Sequence, residues 1–164
     1  EVARIERPAD LGHELLGQGL YFEDLPVGRK LRSIGRTILD PDVCTFINVT
    51  HMNEVLFTDM EYARAHSPMK GRVVPGALSY TFAEGLCIVE TMQQTGVAFL
   101  HMELDMKAPA FVGDTIHVEI EVMEARLTSD GKRGLVRTRN TVIQLDGTVV
   151  LVYTPLRLVL CRPR

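Results

Sequence analysis

The chain has 164 residues, of which 46% are hydrophobic and 24% charged, and its formal net charge at pH 7 is −3. That length suffices for one domain with its own core, and a small charge without long runs of one sign argues against nucleic acid or an anionic membrane as partner. Three widely spaced cysteines without a C-x-x-C pair, Cys44, Cys87 and Cys161, predict free thiols in a reducing cytoplasm. The longest apolar run, residues 73–89, is interrupted by proline, glycine and glutamate, so we expect no membrane span.

The first part of the chain is predicted to be a loosely ordered arm followed by short strands. Residues 1–19 are polar and punctuated by glycine, whereas residues 20–28 and 30–39 carry strand-like pieces broken by proline and glycine. We therefore predict an N-terminal arm at residues 1–19 and a single domain at residues 20–164.

A short helix is predicted to follow these strands. Asp40 is placed as its N-cap, Pro41 at its first helical position and Asp42 in its first turn. Apolar residues recur at helical spacing through residues 43–50. Residues 51–74 are irregular, and a segment this long without regular structure inside a compact domain is more often functional than idle.

The most apolar segment is predicted to form a buried central helix. Pro75 and Gly76 open this helix, which extends over residues 77–94, and Gly96 is placed as its stop. A helix that is apolar nearly all round is buried on most sides. Glu84 is the one charged side chain in its apolar part.

Everything after this helix is predicted to be strand. Apolar and polar residues alternate with a period of two, and two Asp-Gly pairs mark turns. The strand-like stretches are residues 100–107, 116–123, 135–145 and 149–160. Their polar side, which carries His101 and His117, is expected to face solvent. An antiparallel sheet wrapped around the long central helix, an α+β fold, satisfies both the alternation and the all-round apolar helix.

Four stretches of the chain resemble the MaoC-like acyl-CoA hydratases and dehydratases. Residues 59–63 (DMEYA) and 66–78 (HSPMKGRVVPGAL) are similar to the family's D-x-E-Y-A turn and to the G-R-[IV]-V-H-G-M segment that starts its central helix. Residues 107–115 (KAPAFVGDT) resemble its F-x-x-P-V-x-x-G-D-T segment, and residues 21–28 (YFEDLPVG) its opening strand. The resemblance implies a hotdog fold that assembles as a homodimer or a dimer of dimers, with the active site between subunits. It also implies an acyl-CoA thioester as substrate, with no other cofactor. No Cys, His or Asp cluster in the sequence has metal-ligand spacing, so we expect no metal site.

The chain departs from this family at its acid–base residues. Family hydratases carry a G-D-x-N-P-x-H-x-D motif whose Asp and His hold and activate water, whereas residues 50–59 here read THMNEVLFTD, one residue longer. The two possible registers place other residues at the Asp and His positions: His51 and Leu56 in one, Met52 and Phe57 in the other. The histidine of the family's V-H-G is replaced by Pro75.

The start of the central helix is the first candidate site. The N–H groups of Gly76 and Ala77 are suited to bind a thioester oxygen that becomes anionic, because a helix N-terminus offers unpaired donors and a partial positive charge. Arg72, and Lys70 near it, are placed to meet a CoA phosphate. The alternative is an ordinary Pro-Gly turn before a helix.

Glu84 is the second candidate. A carboxylate in an apolar helix suits a general base or nucleophile, and its position eight residues after Gly76 resembles the H-G-G-x-x-x-x-L-x-D motif of hotdog thioesterases. The alternative is a structural carboxylate that is hydrogen-bonded in the interior.

His51 is the third candidate, with Asn53 and Glu54 beside it. A histidine just after a short helix can serve as acid or base, with Glu54 or Glu84 orienting it and Asn53 contacting substrate. The alternative is a histidine that lies by chance in a polar loop. His66 is a weaker candidate for the same role.

Three functions remain open from the sequence. The first is a hydro-lyase, an enoyl-CoA hydratase or 3-hydroxyacyl-CoA dehydratase in which the usual Asp/His pair is replaced. The second is an acyl-CoA thioesterase that uses Glu84. The third is a hotdog protein that binds acyl thioesters without chemistry, which predicts Glu84 hydrogen-bonded away from an occluded helix start.

Overall fold

The structure, a computed structural model, describes residues 15–69 and 71–163. Its helices are α1 (Asp40–Thr50), α2 (Val55–Thr58), α3 (Met60–His66) and α4 (Gly76–Thr91). Its strands are β1 (Lys30–Arg32), β2 (Arg36–Thr37), β3 (Gly96–His101), β4 (Leu104–Met106), β5 (Thr115–Leu127), β6 (Arg133–Gln144), β7 (Val149–Tyr153) and β8 (Leu156–Leu160). Most of the predicted arm lies outside the described residues, so the division into an arm and a single domain stays a prediction.

The described strands form one antiparallel sheet. Strand β5 pairs with β1 and β2 on one side and with β6 on the other. Strands β7 and β8 both pair with β6 and are two halves of one line interrupted at Thr154 and Pro155. Strands β4 and β3 pair in turn with β7 and β8 and form the far edge. The predicted α+β architecture, a sheet around a long central helix, is confirmed.

The core lies between α4 and the inner face of the sheet. One face of the helix is buried through Leu78, Ser79, Ala83 and Cys87, and it packs against inward side chains of β5, β6 and β7. The buried members on these strands include Ile116, Val118, Val142, Leu151 and Tyr153. Burial of this apolar face is the main stabilising contribution to the fold, at about 25 cal/mol per Å2.

The first predicted helix is present, but its cap is shifted by one residue. Leu39 is the N-cap, and the Asp42 carboxylate accepts a hydrogen bond of 2.8 Å from the Leu39 N–H. Asp40 is therefore not the N-cap. Its carboxylate is paired with Arg72 instead, which ties the start of α1 to the segment before α4.

The central helix ends earlier than predicted. It stops at Thr91, and the chain reverses through a turn in which Gln94 has a φ of 62°. Gly96 is the first residue of β3 and not the helix stop. The Met92 carbonyl accepts from the N–H groups of Thr95 and Gly96, which satisfies the end of the helix without a glycine in the left-handed position.

The two strand histidines differ in exposure. His101 is exposed as predicted, but His117 is 8% exposed and lies 3.8 Å from Glu119. The prediction that His117 faces solvent is therefore wrong. Strand β5 is flanked by strands on both sides, so neighbouring side chains screen its outer face, whereas β3 lies at the sheet edge.

The edge formed by β3 is exposed and apolar. Val97, Phe99 and Leu100 are each about half exposed, and β3 pairs with β8 alone among the described strands. An exposed edge strand with apolar side chains is a template for pairing with another strand. No helix among the described residues is long and apolar enough to cross a membrane.

Candidate active site

The first turn of α4 presents free hydrogen-bond donors. Pro75 is the N-cap, and its carbonyl accepts from the N–H groups of Leu78 at 2.9 Å and Ser79 at 3.2 Å. The N–H groups of Gly76 and Ala77 have no acceptor within the described part of the chain. Because α4 has 16 residues, its dipole adds a partial positive charge at this end. This helix start can bind a carbonyl oxygen or an anion.

Gly76 allows the Met106 side chain to approach the helix start closely. A Cβ built on Gly76 would lie 2.7 Å from Cε and 3.6 Å from Sδ of Met106, so the thioether of Met106 lies against the first turn of α4. Met106 ends the edge strand β4 and remains about half exposed.

Ser79 is the polar residue of this turn that sequence reasoning missed. The residue is 1% exposed, and its Oγ has no hydrogen-bond partner among the described residues. It follows Gly76 by three positions, so the two share a helix face, and helical side chains tilt back toward the N-terminus. Ser79 therefore lies on the helix face that also carries Gly76, one turn after the free N–H groups.

Glu84 is paired on both carboxylate oxygens. Arg157 on β8 forms an ion pair and hydrogen bond with Oε1, and the hydroxyl of Tyr153 on β7 donates to Oε2 at 3.0 Å. The guanidinium of Arg157 also lies 5.3 Å from the centre of the Phe99 ring. The side chains of Arg157 and Glu84 are 8% and 17% exposed. This arrangement matches the structural reading of Glu84 better than a free base or nucleophile.

A second layer of polar groups lies beneath Glu84. The Tyr153 hydroxyl is 3.7 Å from Sγ of Cys87, and the amide nitrogen of Asn140 is 4.0 Å from the same sulfur. Burial raises the pKa of the Cys87 thiol to about 11. Burial, followed by the neighbouring Cys87 and Glu84, raises the pKa of Tyr153. Both groups are therefore neutral hydrogen-bonding groups at physiological pH.

Glu84 and Arg157 also line an open cavity of about 330 Å3 between the second half of α4 and β3. Its other walls are mainly apolar, formed by Ile88, Val89, Met92, Gln93 and residues 96–99. Glu84 lies eight positions after Gly76, a rise of about 12 Å along the helix axis. Within one protomer, the helix start and the Glu84 carboxylate are thus two separate candidate sites.

The loop of His51 lies between α1 and α2. His51 ends α1 with a φ of 57° and is exposed, and the Asn53 N–H donates to its carbonyl at 2.8 Å. The Glu54 carboxylate accepts from the Leu56 N–H at 2.8 Å and caps α2. Among the described contacts, none joins His51 to Glu54, Gly76 or Glu84, so their roles in acid–base chemistry remain predictions.

Arg72 is held by protein groups. Its Nε donates to the Asp40 carboxylate at 3.0 Å, and its guanidinium also donates to the Phe57 carbonyl. It lines a separate cavity of about 560 Å3 beside α2 and α3. Arg72 therefore positions the α1–α2 region against the segment before α4, and phosphate binding stays a prediction. Lys70 lies outside the described residues.

Several residues of these sites were not singled out from the sequence. They are Ser79, Met106, Asn140, Tyr153 and Arg157. A buried Glu84 signals that a cation must lie opposite it, but the sequence does not identify which one. Within the described residues, no group of three or more His, Cys, Asp or Glu side chains could hold a metal ion.

Comparison with known proteins gives two relatives of low sequence identity, a hydratase and a dehydratase that act on CoA thioesters. The chain is 26% identical over 102 residues to an (R)-specific enoyl-CoA hydratase from Rhodospirillum rubrum, covering 62% of this chain and 69% of that protein. It is 29% identical over 106 residues to a 3-hydroxybutyryl-CoA dehydratase from Methylorubrum extorquens, covering 64% of this chain and 65% of that protein. The chain thus spans about two thirds of the length of each relative. No family model matches the chain.

Solved structures give the fold. A MaoC-like dehydratase from Rhodospirillum rubrum superposes with a TM-score of 0.79 at 26% identity, covering 89% of this chain and all of the other. A Mycobacterium tuberculosis protein with a double hotdog fold superposes with a TM-score of 0.78 at 25% identity, covering 88% of this chain and 45% of the other. The hotdog fold and the resemblance to MaoC-like hydratases and dehydratases, both predicted from the sequence, are confirmed.

Proposed function

We propose that this chain is an acyl-CoA hydro-lyase, an enoyl-CoA hydratase or 3-hydroxyacyl-CoA dehydratase. The observation that carries the proposal is the pair of N–H donors at Gly76 and Ala77, which have no acceptor among the described residues and lie at the start of the central helix of a fold shared with such enzymes. Donors fixed before the reaction stabilise an oxyanion without the cost of reorienting solvent.

The chemistry follows from the thioester. Water adds across the C2–C3 double bond of an enoyl thioester: the oxygen bonds to C3, and the electron pair moves through C2 toward the carbonyl oxygen. The resulting enolate oxygen is the charge that the Gly76 and Ala77 N–H groups would stabilise. One water proton leaves to a base, and C2 receives a proton. The exposed His51 is our candidate for this acid–base group.

We propose that the protein works as a homodimer or a dimer of dimers in the cytoplasm, without a cofactor other than the CoA thioester. The apolar, half-exposed side chains of β3 and its free edge support pairing with the β3 strand of a second copy. The same strand borders the cavity that Glu84 lines, so a second copy would cover that cavity.

A second candidate is acyl-thioester binding without chemistry. Two observations favour it: both oxygens of Glu84 are paired, and the Met106 thioether lies against Gly76. The pairing of Glu84 speaks against the thioesterase alternative, because a carboxylate held by Arg157 and Tyr153 is a poor nucleophile. From the sequence, the resemblance along the whole chain ranks the hydro-lyase above the thioesterase, whose signal is the spacing of Gly76 and Glu84, and above binding alone.

A paired assay tests the proposal. Purified protein is given a panel of enoyl-CoAs, while one channel follows loss of the conjugated enoyl absorbance and the other follows free CoA thiol. Loss of enoyl signal without thiol supports a hydratase, and thiol release would replace it with a thioesterase. Binding of acyl-CoA without either signal would favour the non-catalytic candidate.

Variants of two exposed histidines locate the acid–base group. His51→Ala is expected to lower kcat by about a hundredfold or more, the contribution of a general acid or base. The matched control, His101→Ala, removes an exposed histidine from the sheet edge and should leave kcat unchanged. Equal activity of the two variants would remove His51 from the mechanism.

A further inference from the structure

We propose that Met106 is the movable cover of a three-donor carbonyl site formed by the N–H groups of Gly76 and Ala77 and the hydroxyl of Ser79. This inference rests on the proposed function and names two residues that control it: Ser79 as a substrate-contacting hydrogen-bond donor and Met106 as the side chain that the substrate displaces.

The cover is indicated by where Met106 lies. It is the last residue of β4 and pairs with Leu151 of β7, and this places it over the start of α4. Its Cε would be 2.7 Å from a Cβ on Gly76. The Met106 methyl group thus lies directly beside Gly76, where a ligand that approaches the Gly76 N–H would meet it. Methionine is unbranched and has three rotatable side-chain bonds, and Met106 is half exposed, so its terminal methyl group can move toward solvent.

The ligand is indicated by Ser79. A buried hydroxyl without a hydrogen bond destabilises the fold, and Ser79 bears that cost one turn into α4. Ser79 shares a helix face with Gly76, in the turn where two N–H groups also lack acceptors among the described residues. Three such donors within one helical turn fit a ligand that accepts several hydrogen bonds at one atom.

A carbonyl oxygen is the acceptor that fits this site. It has two lone pairs, and it gains a third when electrons flow onto it in the reaction. Met106 gives the site an apolar wall, which matches the acyl carbons next to the thioester. A thioether analogue of the same substrate keeps the chain and the CoA but lacks the oxygen, so it separates carbonyl recognition from binding of the rest.

The first test measures affinity for crotonyl-CoA and for its thioether analogue S-(but-2-enyl)-CoA by titration calorimetry. Ser79→Ala is expected to weaken crotonyl-CoA binding roughly fivefold, the effect of one neutral hydrogen bond, and to leave binding of the thioether unchanged. The matched control is Thr81→Ala, which removes an exposed hydroxyl that bonds to the Leu78 carbonyl in the same helix. It should change neither affinity.

The second test observes the cover directly. In protein labelled with 13C at its methionine methyl groups, the Met106 signal, assigned with Met106→Leu, is expected to shift when crotonyl-CoA is added and to stay in place with free CoA. Met123 on β5, also half exposed, is the internal control and should not shift. Met106→Ala is expected to bind crotonyl-CoA with a faster association rate.

The outcomes separate the two proposals. If crotonyl-CoA binds but Ser79→Ala weakens thioester and thioether equally, or the Met106 methyl does not respond, this inference is overturned and the proposed function stands. If neither the wild-type chain nor Met106→Ala binds any acyl-CoA, the proposed function falls and this inference with it.

Discussion

The first turn of α4 and the turn around Glu84 lie about 12 Å apart on one helix, and they treat their polar groups in opposite ways. At Glu84 the carboxylate is matched by a guanidinium and a phenol hydroxyl. At the first turn, two N–H groups and the Ser79 hydroxyl have no acceptor among the described residues. From the sequence, the helix start is predicted to bind the thioester oxygen, and Glu84 is predicted to act as a base or nucleophile.

The difference teaches how to rank such interruptions. A polar group whose hydrogen bonds are satisfied within the protein contributes to the fold, and removing a partner costs stability. A buried group without a partner lowers stability unless a ligand supplies the missing bond. Stability measurements at the two ends of the helix should therefore differ in sign, and the following variants test that contrast.

Arg157→Ala is expected to have the largest effect. It leaves the largely buried Glu84 carboxylate without its cation, which costs about 3–5 kcal/mol of the free energy of unfolding. Urea unfolding measures this value. The control is Arg137→Ala, which breaks a more exposed pair of 3.3 Å with Glu124 and should cost less than about 1 kcal/mol. Equal losses of stability in the two variants would mean that the Glu84–Arg157 pair contributes no more to the free energy of unfolding than a surface pair.

High pH should destabilise the Glu84 region through Cys87. The thiol's pKa is raised by burial from 9.0 to about 11 in the folded chain, so the folded state holds the proton more tightly than the unfolded state. Its stabilising effect is complete below pH 9 and is lost as the pH rises toward 11. At pH 10.5 the loss is about 2 kcal/mol, since one pKa unit corresponds to about 1.4 kcal/mol.

Urea unfolding at pH 8 and pH 10.5 measures this loss. The Cys87→Ala variant should lack it and keep only the part due to Tyr153, whose pKa is also raised by burial. If Cys87→Ala loses as much stability as the wild-type chain between these two pH values, the thiol is not the group that titrates.

Tyr153→Phe should have a smaller effect at the same place. It removes the hydroxyl that donates to Glu84 at 3.0 Å while Arg157 remains, so the expected loss is about 1.5 kcal/mol, the value for a hydrogen bond to a charged group. Tyr80→Phe is the matched control, because Tyr80 packs edge-on against Tyr153 at 5.2 Å and makes no recorded side-chain hydrogen bond in the described structure. A loss in Tyr80→Phe as large as in Tyr153→Phe would contradict the assignment.

How far the sequence leads differs between the two regions for a physical reason. The start of α4 depends on local sequence, because Pro75 and Gly76 directly precede and open the helix. The helix start and its free N–H donors can therefore be predicted from neighbouring residues. The partners of Glu84 lie 69 and 73 positions away. They are brought together by the register of β7 and β8, which alternation alone does not fix.

The same distinction explains other outcomes. The cap of α2 by Glu54 is a local contact, whereas the sequence predicts Glu54 as a group that orients His51. Met106 reaches Gly76 only because β4 forms the sheet edge, a contact between residues 30 positions apart. His117 alternates onto the polar side of β5, and only the neighbouring strands bury it.

Ser79→Ala tests the other end of the helix, where the effect should be smallest and opposite in sign. Removing a buried hydroxyl without a partner recovers its desolvation cost, and the small volume lost offsets part of that gain, so we expect a rise of about 1 kcal/mol or less in the free energy of unfolding. Thermal unfolding would show it as a Tm increase of about 2–4 °C at most. A fall instead would mean that the Ser79 hydroxyl stabilises the fold, and the contrast between the two ends would disappear. A more stable variant with weaker thioester binding is the combination that a structural role for Ser79 cannot produce, because a structural hydrogen bond would lower both together.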